Sequence, residues 1–221
     1  MEFRLRPRLS IFVAFALLLP AVGTLAAQER PEPAKAERKG PSADREPVVS
    51  VTRHSGTFGG QRINYVATAG ETFLRAEDGT PRASIFSVSY VREPRDTSRP
   101  VTFLFNGGPG SGSVWLHMGA FGPRRVAIPS DGTDDGAPPY PIVDNPDSLL
   151  DVSDIVFIDP VGTGFSHALG QTDPAELYGV TKDAQSIAEF IRLWLNENGR
   201  WNSPKFLGGE SYGTTRSAAV L

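Results

Sequence analysis

Three short strand-like stretches, separated by helical patterns, most constrain what this chain can fold into. They are Val101–Phe105, Asp154–Ile158 and Lys205–Leu207. The first is a continuous apolar run and the second nearly so, which predicts strands buried on both faces, and the third predicts a short strand. Between the second and third, Ile187, Phe190, Ile191, Trp194 and Leu195 recur at helical spacing. They form one apolar face of a helix over Thr181–Asn198, which Thr181 is placed to cap and Gly199 to end. A shorter helical stretch, Ser113–Ala120, follows the first run, and another pattern resumes after the third. Strands alternating with helices predict an α/β fold, a mostly parallel sheet with helices on both faces. Ahead of them, Arg62–Thr68, Thr72–Arg75 and Ala83–Arg92 flank the turn signal Glu77-Asp78-Gly79-Thr80-Pro81 and predict a long antiparallel hairpin. Pro129–Pro146, dense in Pro, Gly and Asp, predicts a surface loop.

The first residues read as a leader, not as part of the fold. Arg4, Arg6 and Arg8 precede a short apolar run, Ile11–Leu19, and small residues then offer a cleavage site. This is the three-part pattern of a secretory signal peptide over residues 1–27, and the run is too short for an unaided membrane span. Residues 28–47, rich in Pro, Ala and charge, predict a disordered linker, with the folded part over 48–221. The chain has no Cys, so an exported form is held by core packing alone. The expected location is periplasmic or secreted, with no stable membrane association once the leader is cleaved. A net charge of -3 gives no reason to expect nucleic acid as a partner. Three scattered His and no Cys offer no metal-ligand spacing, and no cofactor is expected.

The chemistry concentrates in two glycine-rich turns. Gly209-x-Ser211-x-Gly213 sits where the third strand meets a helix. A tight turn there lifts the Ser211 hydroxyl above the sheet as a nucleophile. Acyl transfer also needs donors aimed at the developing oxyanion. One is the N–H after the nucleophile, on Tyr212; the other comes from Asn106-Gly107-Gly108-Pro109-Gly110, directly after the first strand.

Beyond these turns, the ordered set Phe105-Asn-Gly-Gly-Pro-Gly110, Gly122-Pro123, Asn145-Pro146-x-Ser148, Ile158-Asp-Pro-Val-Gly-Thr-Gly-Phe-Ser166 and Gly209-Glu-Ser-Tyr-Gly213 resembles the serine carboxypeptidases, in a bacterial-type member. The resemblance implies an α/β-hydrolase fold, incomplete at its C-terminal side. It also implies attack by Ser211 on the last peptide bond, with Gly108 and Tyr212 supplying the oxyanion N–H groups. Asn106, Gly107 and a protonated Glu210 would hold the terminal carboxylate, since two charged carboxylates repel. The partner is then a peptide with a free C-terminal carboxylate.

The sequence departs from the family pattern at Leu104 (often Trp), Ser111 (commonly Cys) and Ala120 (a second Glu in many members). A Ser nucleophile also needs a His base and an acid, which in this fold follow it. Ten residues follow Ser211, and none is His, Asp or Glu. His54, near the linker, reads as solvated, His117 as packed, and His167 as a cleft-lining residue at most. The expectation is therefore an amino-terminal fragment, inactive as it stands. An esterase or acyltransferase on the same fold, and a non-catalytic secreted binding module, are the alternatives.

Overall fold

The computed structural model describes residues 41–129, 131, 133 and 138–221. In chain order these form β1 (Val49–Phe58), β2 (Gln61–Arg75), β3 (Pro81–Glu93), β4 (Val101–Phe105) and α1 (Val114–Leu116), which runs on as one π-helical turn, His117–Phe121. Then come β5 (Arg124–Val126), β6 (Ile142–Asp144), β7 (Asp154–Ile158), β8 (His167–Ala168), α2 (Val180–Asn198), β9 (Lys205–Gly209) and α3 (Tyr212–Val220). The leader expected over 1–27 lies outside the described residues. Among those described, no helix is long and apolar enough to cross a membrane.

The main sheet has the order β1-β2-β3-β7-β4-β9, with β8 pairing β3. β4 is parallel to β7 on one side and β9 on the other. The joins β1–β2, β2–β3 and β3–β7 are antiparallel. The parallel pairing expected from the strand–helix alternation is thus confined to β4, β7 and β9, and the long hairpin extends the same sheet. The chain steps from β4 to β7, then back across β4 to β9. This reversal places a crevice beyond the carboxyl ends of these strands, where open α/β sheets bind ligands.

Alternation along the central strands explains the two-layer cover. Val101, Phe103 and Phe105 of β4, with Val156 and Ile158 of β7, face α2 and pack on Ile187, Phe190, Trp194 and Leu195. Leu104, Ile155 and Phe157 face the other way, against Leu116, Phe121 and Leu150. Trp194 meets Phe103 edge-on with ring centroids 5.5 Å apart. This is the α/β-hydrolase arrangement: a mixed sheet, helices on both faces, and β9 running straight into the helix α3. At the opposite ends of the strands, the Asp154 carboxylate is buried between two guanidinium groups. Arg99 Nε donates at 3.1 Å and Arg200 Nη1 at 2.5 Å.

Several expectations are corrected. α2 starts one residue early, and Thr181 does not cap it. The N-cap is Gly179, at φ 90°, with no side-chain cap bond. Gly199 ends the helix in the left-handed conformation, φ 64°, as expected. Ile142–Asp144, placed in a surface loop, pairs with Arg124–Val126 as a small hairpin. Of the linker expected over 28–47, residues 28–40 lie outside the described residues, and 41–47 are held in place. Arg45 makes a two-pronged ion pair with Glu71, at 2.5 and 2.6 Å, and Gly170 donates its N–H to the Pro41 carbonyl. These bonds order residues 41–47 against the sheet edge.

Candidate active site

β9 ends at Gly209 and α3 begins at Tyr212, leaving Glu210 and Ser211 to make the turn. Ser211 has φ 55° and ψ −123°, the single non-glycine residue with positive φ among the described residues. That conformation costs about 1–3 kcal/mol and persists only where surroundings enforce it. The enforcing contacts are visible. Glu210 donates its N–H to the Phe105 carbonyl, Gly213 donates to the Glu210 carbonyl at 2.8 Å, and Thr214 to the Ser211 carbonyl at 2.9 Å. A side chain at Gly209 would press into the Gly213 backbone, which is why the flanking positions of this motif must be glycine. Ser211 is exposed at the carboxyl end of the parallel strands.

The loop after β4 abuts this turn. A Cβ on Gly107 would lie 2.5 Å from the Tyr212 nitrogen and 2.6 Å from the Glu210 carbonyl oxygen. Glycine is therefore what lets the two loops meet. Gly108 continues at φ 106°, and Ser111 donates its N–H to the Gly107 carbonyl at 3.0 Å. The N–H of Gly108 has no acceptor among the described residues. That of Tyr212, first in α3, has no intrahelical acceptor.

Asn106 is buried, and its amide orientation is set by its neighbours. Its Oδ1 accepts the Leu116 N–H at 3.0 Å, so Nδ2 is the end that faces Glu210, donating to Oε2 at 3.3 Å. The structure thus brings together Asn106, Gly107, Glu210, Ser211 and Tyr212. Ala120 carries no carboxyl. Its carbonyl instead accepts from Asn145 Nδ2 at 2.7 Å, and the same amide bonds the Gly122 carbonyl at 2.8 Å. Ser148 adds a bond from Oγ to the Phe121 carbonyl at 2.8 Å. The Asn-Pro-x-Ser block is therefore a clamp on the α1 turn.

The histidines are committed elsewhere. His54 is exposed on β1 and stacks on Tyr65 at 5.6 Å. His117 stacks on Phe157 at 4.4 Å and bonds the Tyr90 hydroxyl through Nε2 at 2.7 Å. Burial holds its pKa down to about 4, and desolvation pushes the Tyr90 phenol well above its usual range. The pair is therefore neutral near pH 7. His167 lies in β8 and bonds the Phe165 carbonyl through Nδ1 at 3.0 Å.

Two residues beside the site were assigned no role from the sequence, Asp159 within one of the family blocks and Arg216 outside them. Asp159, at the end of β7, accepts the N–H groups of Ser113 (2.7 Å) and Phe165 (3.1 Å). It ties the α1 start to the Gly-Thr-Gly turn, and burial raises its pKa. Arg216, on α3, is 1% exposed. It bonds Asp183 on α2 and the Asn106 carbonyl, at 2.9 and 2.7 Å. A polar residue in a helix of otherwise small side chains gave no hint of burial. Among the described residues, no group of three or more His, Asp or Glu is placed to hold a metal ion.

A cleft of about 640 Å³ opens between β2, β3 and α2, lined by Glu71, Arg95, Glu189 and Trp194. It contains none of the Ser211 group, and the site rests on the loop geometry.

With the geometry in place, comparison with known proteins is direct. The family model for serine carboxypeptidases matches residues 73–215, from the end of β2 into α3. The chain is similar to serine carboxypeptidase-like 4 of Arabidopsis thaliana, 31% identical over 131 residues, 58% of this chain and 27% of that protein. It is also similar to serine carboxypeptidase-like 16 of the same plant, 30% identical over 122 residues, 54% of this chain and 27% of that protein. The chain spans about a quarter of the length of these curated relatives. Among solved structures, a peroxisomal alpha-beta-hydrolase of Saccharomyces cerevisiae aligns at 12% identity and a TM-score of 0.37, over 79% of this chain and 40% of that one. Since the family model covers well over half of the 221 residues, the chain belongs to the serine carboxypeptidase family.

Proposed function

We propose that this chain carries the nucleophile of an exported serine-type carboxypeptidase, which removes C-terminal residues from peptides through an acyl-enzyme on Ser211. The observation that carries the reading is the juxtaposition of Asn106 Nδ2 with the Glu210 carboxyl at the turn that strains Ser211. Ser211 Oγ attacks the last peptide carbonyl as a base removes its proton. The oxyanion is received by the N–H groups of Gly108 and Tyr212. The proton passes to the leaving amine, and water then releases the acyl group from Ser211. Asn106 Nδ2, the Gly107 N–H and Glu210 hold the terminal carboxylate, the Glu210 carboxyl sharing a proton with it.

None of the three histidines is placed to act as the base for Ser211. His54 on β1 lies five strands from β9, about 24 Å at ordinary strand spacing. His167 on β8 pairs with β3, three strands from β9, and His117 is locked to Tyr90. One observation favours a second reading, an esterase or acyltransferase: Ala120 leaves Glu210 without a second carboxyl there.

The test uses the full-length gene product and a blocked dipeptide offered as free acid and as amide. Two charge-assisted hydrogen bonds to the carboxylate predict a kcat/KM advantage of at least about 100-fold for the free acid. Ser211→Ala should lower turnover by about 10⁴-fold or more. Equal turnover of acid and amide would refute the carboxypeptidase reading. No turnover of any acyl substrate would point to a binding module.

A further inference from the structure

Arg216 presents a physical puzzle. Burying a guanidinium costs several kcal/mol unless its donors are satisfied, and an apolar side chain of similar volume commonly serves stability better. Yet Arg216 lies wholly inside the fold, on the nucleophile helix itself. Two rings lie beside the guanidinium, with Cζ 5.4 Å from the centre of Phe105 and 5.2 Å from that of Tyr212. Nε donates to Asp183 Oδ2 at 2.9 Å, and Nη1 to the Asn106 carbonyl oxygen at 2.7 Å. Nη2 is buried with no partner among the described residues.

The consequence lies in the peptide that Arg216 grips. The Asn106–Gly107 bond is trans, so its C=O and N–H point in opposite directions across one rigid plane. Holding the Asn106 carbonyl against Arg216 fixes that plane, and so fixes the opposite direction in which the Gly107 N–H points. The same peptide carries the Asn106 side chain, whose Nδ2 faces Glu210. Phe105, one residue earlier, ends β4 and supplies one of the two rings on Arg216. Tyr212, whose ring also lies against the guanidinium, follows the nucleophile. Arg216 therefore touches the donor loop, the nucleophile helix and, through Asp183, α2.

We infer that Arg216 is a positioning residue that fixes the Asn106–Gly107 peptide plane, and through it the amide donors that receive the substrate carboxylate. This rests on the carboxypeptidase reading above. Arg reaches both acceptors from one rigid plane, Nε to Asp183 and Nη1 to the Asn106 carbonyl. Lys keeps the charge but brings a single nitrogen in place of that fixed pair of donors.

The experiment compares full-length wild type with Arg216→Lys and Asp183→Asn, each shown folded by a cooperative thermal transition. The readout is the ratio of kcat/KM for a blocked dipeptide acid over its methyl ester. Loss of one hydrogen bond to a charged group should lower that ratio about 10- to 100-fold in Arg216→Lys. Asp183→Asn, which loosens the fork without removing it, should lower it less. If Arg216→Lys unfolds, Asp183→Asn alone decides. A wild-type-like ratio in the folded variant, with both substrates falling together, would overturn the inference and leave the carboxypeptidase reading standing. A wild-type enzyme with no preference for the acid would overturn both.

Discussion

Gly107→Ala isolates the contact on which the site depends. The change keeps every hydrogen-bonding group of the residue, and Gly107 does not have the positive φ that would strain an alanine. Only space is altered. The new Cβ would lie 2.5 Å from the Tyr212 nitrogen, 2.6 Å from the Glu210 oxygen and 3.0 Å from the Gly213 nitrogen, all backbone. Ordinary contact begins near 3.4 Å, so the loop and the turn must part by about 0.9 Å. No flexible side chain can absorb that. Overpacking on this scale costs about 1–3 kcal/mol of stability. The effect on turnover is expected at the upper end of that range, because a misplacement near 1 Å costs about 100-fold, or roughly 2.7 kcal/mol of barrier.

The assay is kcat/KM of the full-length enzyme on the blocked dipeptide acid, beside its thermal transition. Gly119→Ala is the control, since a Cβ there meets nothing within 4 Å and alanine is the better helix former. The expectation is a folded Gly107→Ala with about 100-fold lower kcat/KM, and an unimpaired Gly119→Ala. A Gly107→Ala enzyme with wild-type kcat/KM would refute the claimed approach of the two loops.

Other expectations follow from single groups. Asp154→Ala leaves Arg99 and Arg200 buried without their partner and should cost about 3–5 kcal/mol by denaturant titration. Glu71, held at a pKa of about 2 chiefly by its bond from Arg45, contributes stability present above its ordinary value of 4.5 and lost as pH falls through 2. Melting temperatures of Glu71→Gln should be flatter than wild type across that window. His117, whose pKa burial lowers from 6.5 to about 4, makes the fold lose stability as pH falls from 6.5 through 4, because the unfolded chain takes up the proton first. His117→Gln keeps an acceptor for Tyr90 and should remove that part of the acid sensitivity in denaturant titrations at pH 7 and pH 4.5.

The central strands and α2 were legible because burial writes itself into sequence. β4 and β7 are covered on both faces and read as nearly unbroken apolar runs, and the helix shows one stripe. β1 was missed for the converse reason: nearly every residue of this edge strand is exposed, so no alternation marks it. Its one signal was Gly59-Gly60, both at positive φ, closing a two-residue turn to β2. The ordered stretch before Val48 was hidden because its anchor is long-range, from Arg45 to Glu71. Within the site, the glycine turns and their neighbours were legible, since tight backbone approach leaves few residue choices. Arg216 was not, because its role depends on Asp183 and Asn106, 33 and 110 positions away.

The claim that Ser211 forms an acyl-enzyme is tested most directly by trapping it. Full-length protein is mixed with an activated ester of a blocked amino acid, quenched in acid, digested and weighed. The account expects a burst of about one equivalent of leaving group per enzyme, with the acyl mass on the peptide containing Ser211 and none in Ser211→Ala. Steady turnover without a burst or adduct, or an adduct on another residue, would contradict it.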